Sequence, residues 1–326
     1  MKSFNLAAAL LGIGLIASAP AMAQDFPVTL THEYGETVIP QRPERIATIG
    51  WMSQDAVLAL GTVPVGIPLQ AWGGDENGVL PWVATAVAEL GGELPVRYDD
   101  TAIPFEEILA LEPDLILAPY SALTEEEYNR LSQIAPTVAW TGAVWSGTWQ
   151  DITLIIGKAL GEAAKAQELV DATDDKLATI AAEHPEFAGK TFTIGWADPS
   201  RSELGVYVGT DPRVQMIEDL GLKLSDGAAA FGSETFYVPV AYENLGTLDA
   251  DVLITWQSDQ AELDAALANE VFARFGPVAA GRHLAMLDRG FVMATSAPSV
   301  LSIPWSMEKL VPELSALLAN SPQIES

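Results

Sequence analysis

The chain has 326 residues, with 16 Lys and Arg against 44 Asp and Glu, and its formal net charge is −28 at pH 7. So acidic a surface repels nucleic acid and anionic lipid, and it mildly favours a neutral or cationic ligand over an anionic one. The sequence contains no cysteine, which excludes disulfides, thiolate metal sites, a Cys nucleophile and a lipid-modified Cys anchor.

Residues 1–23 have the pattern of a secretory signal. Lys2 precedes an apolar run over 4–17, and Ala-Met-Ala at 21–23 supplies the small residues that a signal peptidase recognises. The apolar run is short for a membrane span, so we expect cleavage before Gln24. The mature chain then keeps 15 basic and 44 acidic residues, a net charge of −29. The expected location is the periplasm of a Gram-negative cell, with no lipid anchor.

In the first half of the mature chain, short apolar runs alternate with helical patterns, which predicts a parallel sheet covered by helices. Ser53 is predicted to cap a helix that Gly61 ends, and Thr124 with Glu127 predicts a capping box. The predicted strands are 45–49, 63–67, 115–117 and 137–140.

The second half repeats this alternation after one long helical pattern. An apolar stripe over 151–183 predicts a single helix, and Asp211-Pro212 begins another that Gly221 ends. The predicted strands are 191–196, 252–256 and 283–287. We therefore predict an α/β protein of two lobes with central, mostly parallel sheets flanked by helices. The predicted parts are an N-terminal lobe over 24–148, a connecting helix over 149–185 and a C-terminal lobe over 186–326.

The two predicted lobes share a short internal sequence repeat, called the internal echo below. Residues 106–117 align without gaps on 243–254, so that Glu106 matches Glu243 and Asp114 matches Asp251. In both segments a short helix leads through an acidic turn into an apolar strand. Although αβ units resemble one another generally, the agreement of helix, turn and strand favours two lobes of common architecture.

Aromatic residues recur at or just beyond the ends of the predicted strands. In open α/β sheets, ligands bind beyond the carboxyl ends of the strands. A single aromatic residue there is usually core packing, but together they predict a cleft for an apolar, π-bearing or bulky cationic ligand. The residues at these positions are Trp51, Trp72, Tyr120, Trp140, Trp145, Trp196 and Trp256.

A few polar residues are further candidates for the cleft. Arg97 and Arg201 are scarce cations in predicted loops, where each can donate hydrogen bonds to a carboxylate, catecholate or hydroxamate oxygen. The alternative for each is a surface ion pair with a neighbouring acid. Tyr98, Tyr207 and Tyr237 are weaker candidates, each with a polar tip on an aromatic ring.

Signals for catalysis are absent from the sequence. There is no Gly-x-Ser-x-Gly elbow, no phosphate-binding glycine loop and no His-Glu-x-x-His. The three histidines, at 32, 184 and 283, lie far apart in the chain and in unrelated elements. We therefore predict no enzyme activity, no catalytic residue, no metal ligand and no cofactor.

Several segments, in their order and spacing, carry a family resemblance. They are 39–46 (IPQRPERI), 58–66 (LALGTVPVG), 105–117 (FEEILALEPDLIL), 121–128 (SALTEEEY), 134–138 (IAPTV), Trp149 and 156–161 (IGKALG). The mature chain resembles, over nearly its whole length, the periplasmic binding proteins that serve importers of ferric siderophores, haem and cobalamin. Residues 121–138 look most like the siderophore branch. The resemblance implies two lobes bridged by one long helix, a ligand between them and little hinge motion.

The resemblance also implies roles for particular residues. Glu106 and Glu243 match the positions, one in each lobe, that dock onto arginines of the membrane permease. Arg97 lies near a position that often contacts the chelate, although residues 96–100 depart from the commoner pattern. Tyr120 and the pair Phe236-Tyr237 fall near other usual contact positions.

On this basis we expect the binding component of an ATP-driven ABC importer that captures a ferric siderophore and delivers it to the permease. Iron is expected to stay coordinated by the siderophore, so that the protein supplies no metal ligand. We also expect a monomer. The alternatives are a haem or cobalamin binder of the same fold, with Tyr120 as a candidate haem ligand, and, less favoured, an exported α/β hydrolase.

Overall fold

The structure is a computed structural model that describes residues 26–99, 101–142, 144–145 and 147–319. The predicted signal segment and its cleavage position lie outside the described residues. Within those ranges, no helix combines the length and the apolar character needed to span a membrane.

The N-terminal lobe is built from a hairpin and a parallel sheet with helices packed around it. The sheet has five strands in the order β5-β4-β3-β6-β7, and all its pairings are parallel. The strands are β1 (Val28–His32) and β2 (Gly35–Ile39) in the hairpin, and β3 (Ile46–Thr48), β4 (Gly66–Pro68), β5 (Val96–Tyr98), β6 (Leu115–Leu117) and β7 (Thr137–Val138) in the sheet. The helices are α1 (Ser53–Ala59), α2 (Pro81–Glu89), α3 (Phe105–Ala110) and α4 (Glu125–Leu131).

Two helices lead from this lobe into the C-terminal one. They are α5 (Trp149–Ala159) and α6 (Ala163–Glu183), followed by a short 3-10 helix (Pro185–Phe187). The prediction of a single helix over 151–183 is therefore wrong in one respect, because the helix is interrupted between Ala159 and Ala163. Gly161 adopts φ +72° there, in the left-handed region that favours glycine. The 21-residue α6 remains one continuous helix.

The C-terminal lobe contains a six-stranded sheet in which β11-β9-β8-β12-β13 are neighbours and β10 also pairs with β8. Its strands are β8 (Thr191–Asp198), β9 (Glu203–Tyr207), β10 (Lys223–Leu224), β11 (Tyr237–Ala241), β12 (Val252–Trp256) and β13 (His283–Met286). Its helices are α7 (Pro212–Glu218), α8 (Asp226–Ala229), a 3-10 helix (Tyr242–Thr247), α9 (Gln260–Ala268), α10 (Glu270–Ala273), α11 (Gly276–Ala279), α12 (Arg289–Ser296) and α13 (Ser302–Ala319). Strand β9 runs antiparallel to both of its neighbours, β8 and β11, and the other pairings in the sheet are parallel.

Most predicted elements are present, with two local corrections. The strand predicted at 63–67 begins only at Gly66. Ser53 is not the helix cap, because Met52 precedes α1 with φ 66° and the buried Ser53 hydroxyl has no hydrogen-bond partner among the described residues. The capping box at Thr124 and Glu127 is confirmed, and Asp211 caps α7 through the backbone N–H of Arg213.

The internal echo extends to backbone detail. The Asp114 carboxylate accepts the backbone N–H groups of Glu44 and Arg45, just before β3, at 2.8 and 2.9 Å. The Asp251 carboxylate accepts the N–H of Thr191, at the start of β8, at 2.9 Å. Two residues earlier in each segment, Glu112 and Asp249 share a positive φ, of 47° and 40°. Both lobes therefore use the same acidic turn to fix the central pair of strands.

The two lobes are joined by buried contacts as well as by the chain. Ser299, between α12 and α13, donates a hydrogen bond of 2.6 Å to Asp55 Oδ2 in α1. The same oxygen accepts the indole N–H of Trp82 at 2.7 Å, and the Trp82 ring lies 5.3 Å from that of Trp305 in α13. Asp55 is only 1% exposed, and burial raises its pKa to about 6.

Candidate ligand-binding site

Two adjoining cavities lie between the lobes and share Trp51, Tyr207, Arg213 and Trp256 in their walls. We call the first, of about 460 Å³, the aromatic chamber; its other lining residues are Tyr120, Trp145, Trp196, Asp211 and Phe236. We call the second, of about 630 Å³, the polar chamber; its other lining residues are Leu69, Gln70, Ala71, Trp72, Asp99, Thr101, Ser258, Val292, Met293 and Ser296.

Loops of the N-terminal lobe form one wall of the aromatic chamber. Trp51 follows β3, Tyr120 follows β6 and Trp145 lies beyond β7. The loops carrying the first two touch, because the Trp51 N–H donates to the Tyr120 carbonyl at 3.0 Å. This approach requires Gly50, at φ +78°, since a Cβ there would collide with the Tyr120 backbone. The Trp145 ring centroid lies 5.7 Å from that of Trp51 and 5.3 Å from that of Tyr120.

Strands of the C-terminal lobe form the opposite wall. Trp196 on β8 is the register partner of Trp256 on β12 and of Gly205 on β9. Because Gly205 has no side chain, the Trp196 ring lies across it, and a Cβ at that position would stand 2.5 Å from the ring. The Trp256 indole donates to the Tyr207 hydroxyl at 2.9 Å. Cross-strand pairs therefore hold this wall in place.

Arg213 is the cation that lies in the walls of both chambers. One of its terminal nitrogens donates to Asp211 Oδ2 at 2.7 Å, and the two side chains are 12% and 3% exposed. Its guanidinium carbon lies 4.0 Å from the Tyr207 ring centroid. The buried Nε has no hydrogen-bond partner among the described residues. The guanidinium therefore keeps hydrogen-bonding capacity beyond its bond to Asp211.

Burial also controls the protonation of the cleft. It raises the pKa of Tyr120 to about 12 and raises the pKa of Tyr207. Both side chains are therefore neutral phenols at physiological pH. Burial likewise raises the pKa of Asp211, although Arg213 opposes this shift. The cleft thus offers neutral hydrogen-bonding groups and one ion pair whose charges largely cancel.

The predicted aromatic residues come together in this cleft. The seven that line a chamber are Trp51, Trp72, Tyr120, Trp145, Trp196, Tyr207 and Trp256. Trp140 instead packs in the core, where its indole donates to the Leu123 carbonyl at 3.3 Å. Tyr237 packs against Trp196, with ring centroids 4.6 Å apart, but Phe236, just before β11, is the residue that lines the aromatic chamber.

Three predicted polar residues lie elsewhere. Tyr98 is 2% exposed in the core, where its hydroxyl donates to the Thr48 carbonyl. Arg97 lines neither chamber and donates to the Pro95 carbonyl at 2.8 Å. Arg201 is 70% exposed and forms an ion pair with Glu203 at 3.5 Å, which is the surface alternative considered for it above. The structure therefore gives no support for placing these three at the ligand.

Sequence reasoning missed Arg213 and Asp211 as cleft residues. Asp211-Pro212 has the pattern of a helix start. This pattern accounted for Asp211 as a helix cap, so neither Asp211 nor Arg213 was predicted to lie at the edge of the cleft. The first turn of α7 follows β9, which runs antiparallel to β8, so the rule for the carboxyl ends of parallel strands does not reach it. A cation in that first turn was the residue to consider, since anionic ligands favour helix N-termini.

A family model described as "Periplasmic binding protein" matches residues 46–288. The chain belongs to the periplasmic binding protein family. Members of this family are substrate-binding transport proteins and not enzymes, which removes the hydrolase alternative. The two-lobed fold with parallel sheets, predicted from the sequence, is confirmed.

Individual relatives agree with this assignment. The "Probable siderophore-binding lipoprotein YfiY" of Bacillus subtilis is 27% identical over 250 residues, covering 74% of this chain and 73% of the relative. The "Ferric enterobactin-binding periplasmic protein FepB" of Escherichia coli is 25% identical, covering 83% and 87%. The structure of PiaA of Streptococcus pneumoniae in complex with ferrichrome superimposes with a TM-score of 0.83 at 32% identity, covering 90% of this chain and 100% of PiaA.

Proposed function

We propose that this chain is the substrate-binding component of an ABC importer, and that it captures a ferric siderophore outside the cytoplasmic membrane. The observation that carries the proposal is the aromatic chamber between the lobes, with Arg213 in its wall. The names of the relatives, which include siderophore-binding proteins of two bacteria, support it.

The proposed binding mode follows from the chemistry of the walls. The tryptophan rings cover the organic surface of the chelate, and burial of that surface supplies most of the affinity. The Arg213 guanidinium and the neutral phenols of Tyr120 and Tyr207 donate to the partly negative oxygens that surround the iron. Iron keeps its siderophore ligands. The near-neutral pair Asp211–Arg213 suits a chelate of low net charge, in line with the acidity of the chain.

Haem is the alternative cargo, with Tyr120 as its iron ligand. Tyr120 does line the aromatic chamber, but the relatives reported above are named for siderophores. We therefore favour the siderophore.

Quenching of tryptophan fluorescence tests the proposal, because five tryptophans line the two chambers. We expect saturable quenching by at least one ferric chelate in a panel of ferrichrome, ferric enterobactin and ferric citrate, and weaker quenching by the iron-free chelators. Haem and cobalamin serve as comparison ligands. The proposal fails if no ferric chelate binds, or if haem gives an absorbance band that Tyr120→Phe abolishes.

Delivery to the permease is proposed to depend on Glu106 and Glu243. Glu106 lies in the first turn of α3 and Glu243 in the first turn of the 3-10 helix at 242–247, and both side chains are exposed. Replacing both by Gln should abolish uptake of the chelate and leave its binding unchanged. Glu107→Gln, an exposed change on the same helix, is the matched control. Loss of binding in the double variant would contradict a docking role.

A further inference from the structure

The polar chamber differs from the aromatic chamber in the chemistry of its wall. Besides the four residues that the chambers share, it presents the polar side chains of Gln70, Thr101, Ser258 and Ser296, together with the carboxylate of Asp99. The polar chamber is therefore suited to a different part of the ligand.

Asp99 is the anionic member of this wall and follows β5 directly. Its Oδ1 accepts the backbone N–H of Thr101 at 2.9 Å, and this hydrogen bond lowers the pKa of the carboxyl. Among the residues that the structure describes, no basic side chain lies within 4.0 Å of the Asp99 carboxylate. An ionised carboxylate without a counter-ion thus faces the chamber.

The aromatic residues of the polar chamber also suit a cation. Trp72 and Trp256 meet edge to face, with ring centroids 5.8 Å apart, and tryptophan is the aromatic side chain that attracts cations most strongly. The Arg289 guanidinium carbon lies 5.9 Å from the Trp72 ring centroid, and no such cation lies over Trp256 among the described residues. Arg213 lies at the junction of the chambers, where its positive charge attracts ligand oxygens and repels an ammonium group.

We infer that the polar chamber binds a protonated amine carried on an arm of the siderophore, with Asp99 as its counter-ion. The inference rests on the proposed function and adds to it a class of substrate. The iron-bearing core occupies the aromatic chamber, its oxygens meet Arg213 at the junction, and the arm extends past Trp72 towards Asp99. The charges along the cleft thereby give the ligand one orientation.

Two probes that differ only in the terminal amine test this inference. Ferrioxamine B ends in a primary ammonium group, and its N-acetyl derivative ends in a neutral amide. We expect the parent protein to bind the ammonium form about three- to fivefold more tightly, the ratio that a partly exposed ion pair supplies. Asp99→Asn keeps the oxygen that accepts the Thr101 N–H and should reduce this ratio to about one. Glu76→Gln, which removes an exposed carboxylate outside both chambers, should leave the ratio unchanged.

The outcomes separate the inference from the proposed function. Equal ratios in the parent protein and in Asp99→Asn would overturn the inference and leave siderophore binding intact. Loss of the preference in Glu76→Gln as well would also overturn it, because the effect would then arise from net charge. If the parent protein bound neither probe nor any ferric chelate of the panel, the proposed function would fall and the inference with it.

Discussion

The two walls of the cleft carry similar side chains on different supports. In the N-terminal lobe, Trp51, Tyr120 and Trp145 lie on loops beyond three-residue or shorter strands. In the C-terminal lobe, Trp196 and Trp256 lie within the sheet itself, on strands of eight and five residues that pair in register. One wall is therefore held by contacts between loops, and the other by the hydrogen bonds between paired strands.

This difference shows which parts of a lobe are shared and which determine the ligand. The acidic turns at Asp114 and Asp251 fix the central strands in the same way on both sides. Only the C-terminal lobe adds the antiparallel strand β9, which brings Tyr207 to the cleft and leads into the turn that holds Arg213. The shared unit positions the cleft, and the added strand supplies the Tyr207 hydroxyl and leads to the pair Asp211–Arg213 in the aromatic chamber.

The largest effect should come from Arg213, the charged group that only the C-terminal wall contributes. Arg213→Met leaves Asp211 buried without its partner, which should lower the free energy of unfolding by about 3–5 kcal/mol. Siderophore affinity should fall as well. Urea unfolding and fluorescence titration measure the two losses separately.

The double change Asp211→Asn with Arg213→Met is the control for this prediction. Removing both charges should restore most of the stability, because no buried charge is left unpaired. It should not restore binding, since the guanidinium that lines the chambers is still missing. Recovery of affinity in the double variant would show that Arg213 acts only on the fold of this wall.

The second effect concerns Asp55, which joins the two lobes and is 1% exposed. Its pKa is raised from 3.8 to about 6, so the protonated carboxyl is favoured in the folded state. Its contribution to stability is then complete below about pH 4 and is lost as the pH rises through about 6. The difference amounts to about 3 kcal/mol.

Asp55→Asn should remove this dependence, because the amide oxygen still accepts from Trp82 and Ser299. The variant should unfold at a higher urea concentration than the parent protein at pH 7.5. The gap between the two unfolding midpoints should become smaller as the pH is lowered to 4.5. Burial also raises the pKa of Asp219 to about 6, but this group is present in both proteins and cancels from the comparison. A gap that does not change with pH would contradict the assigned role of burial.

Much of this arrangement could be predicted from the sequence, because it depends on local patterns. Aromatic residues at the ends of predicted strands indicated the cleft, and the echo of Asp114 in Asp251 indicated the paired lobes. Arg213 could not be assigned in this way, since its position depends on where the antiparallel strand β9 ends. Tyr98 was misplaced because it directly follows Arg97 on a strand, and alternation turned its side chain into the core.

The smallest effect tests the difference in support between the two walls directly, through one tryptophan from each wall. Trp196→Ala removes a ring that covers Gly205 and contacts Tyr207, Tyr237 and Trp256, so it should cost about 2 kcal/mol of unfolding free energy. Trp145→Ala removes a ring held by loop contacts and should cost less than about 1 kcal/mol. Both should weaken siderophore binding, because both rings line the aromatic chamber. If the two changes cost equal stability, the walls do not differ in support, and the sheet gives the C-terminal wall no advantage in rigidity.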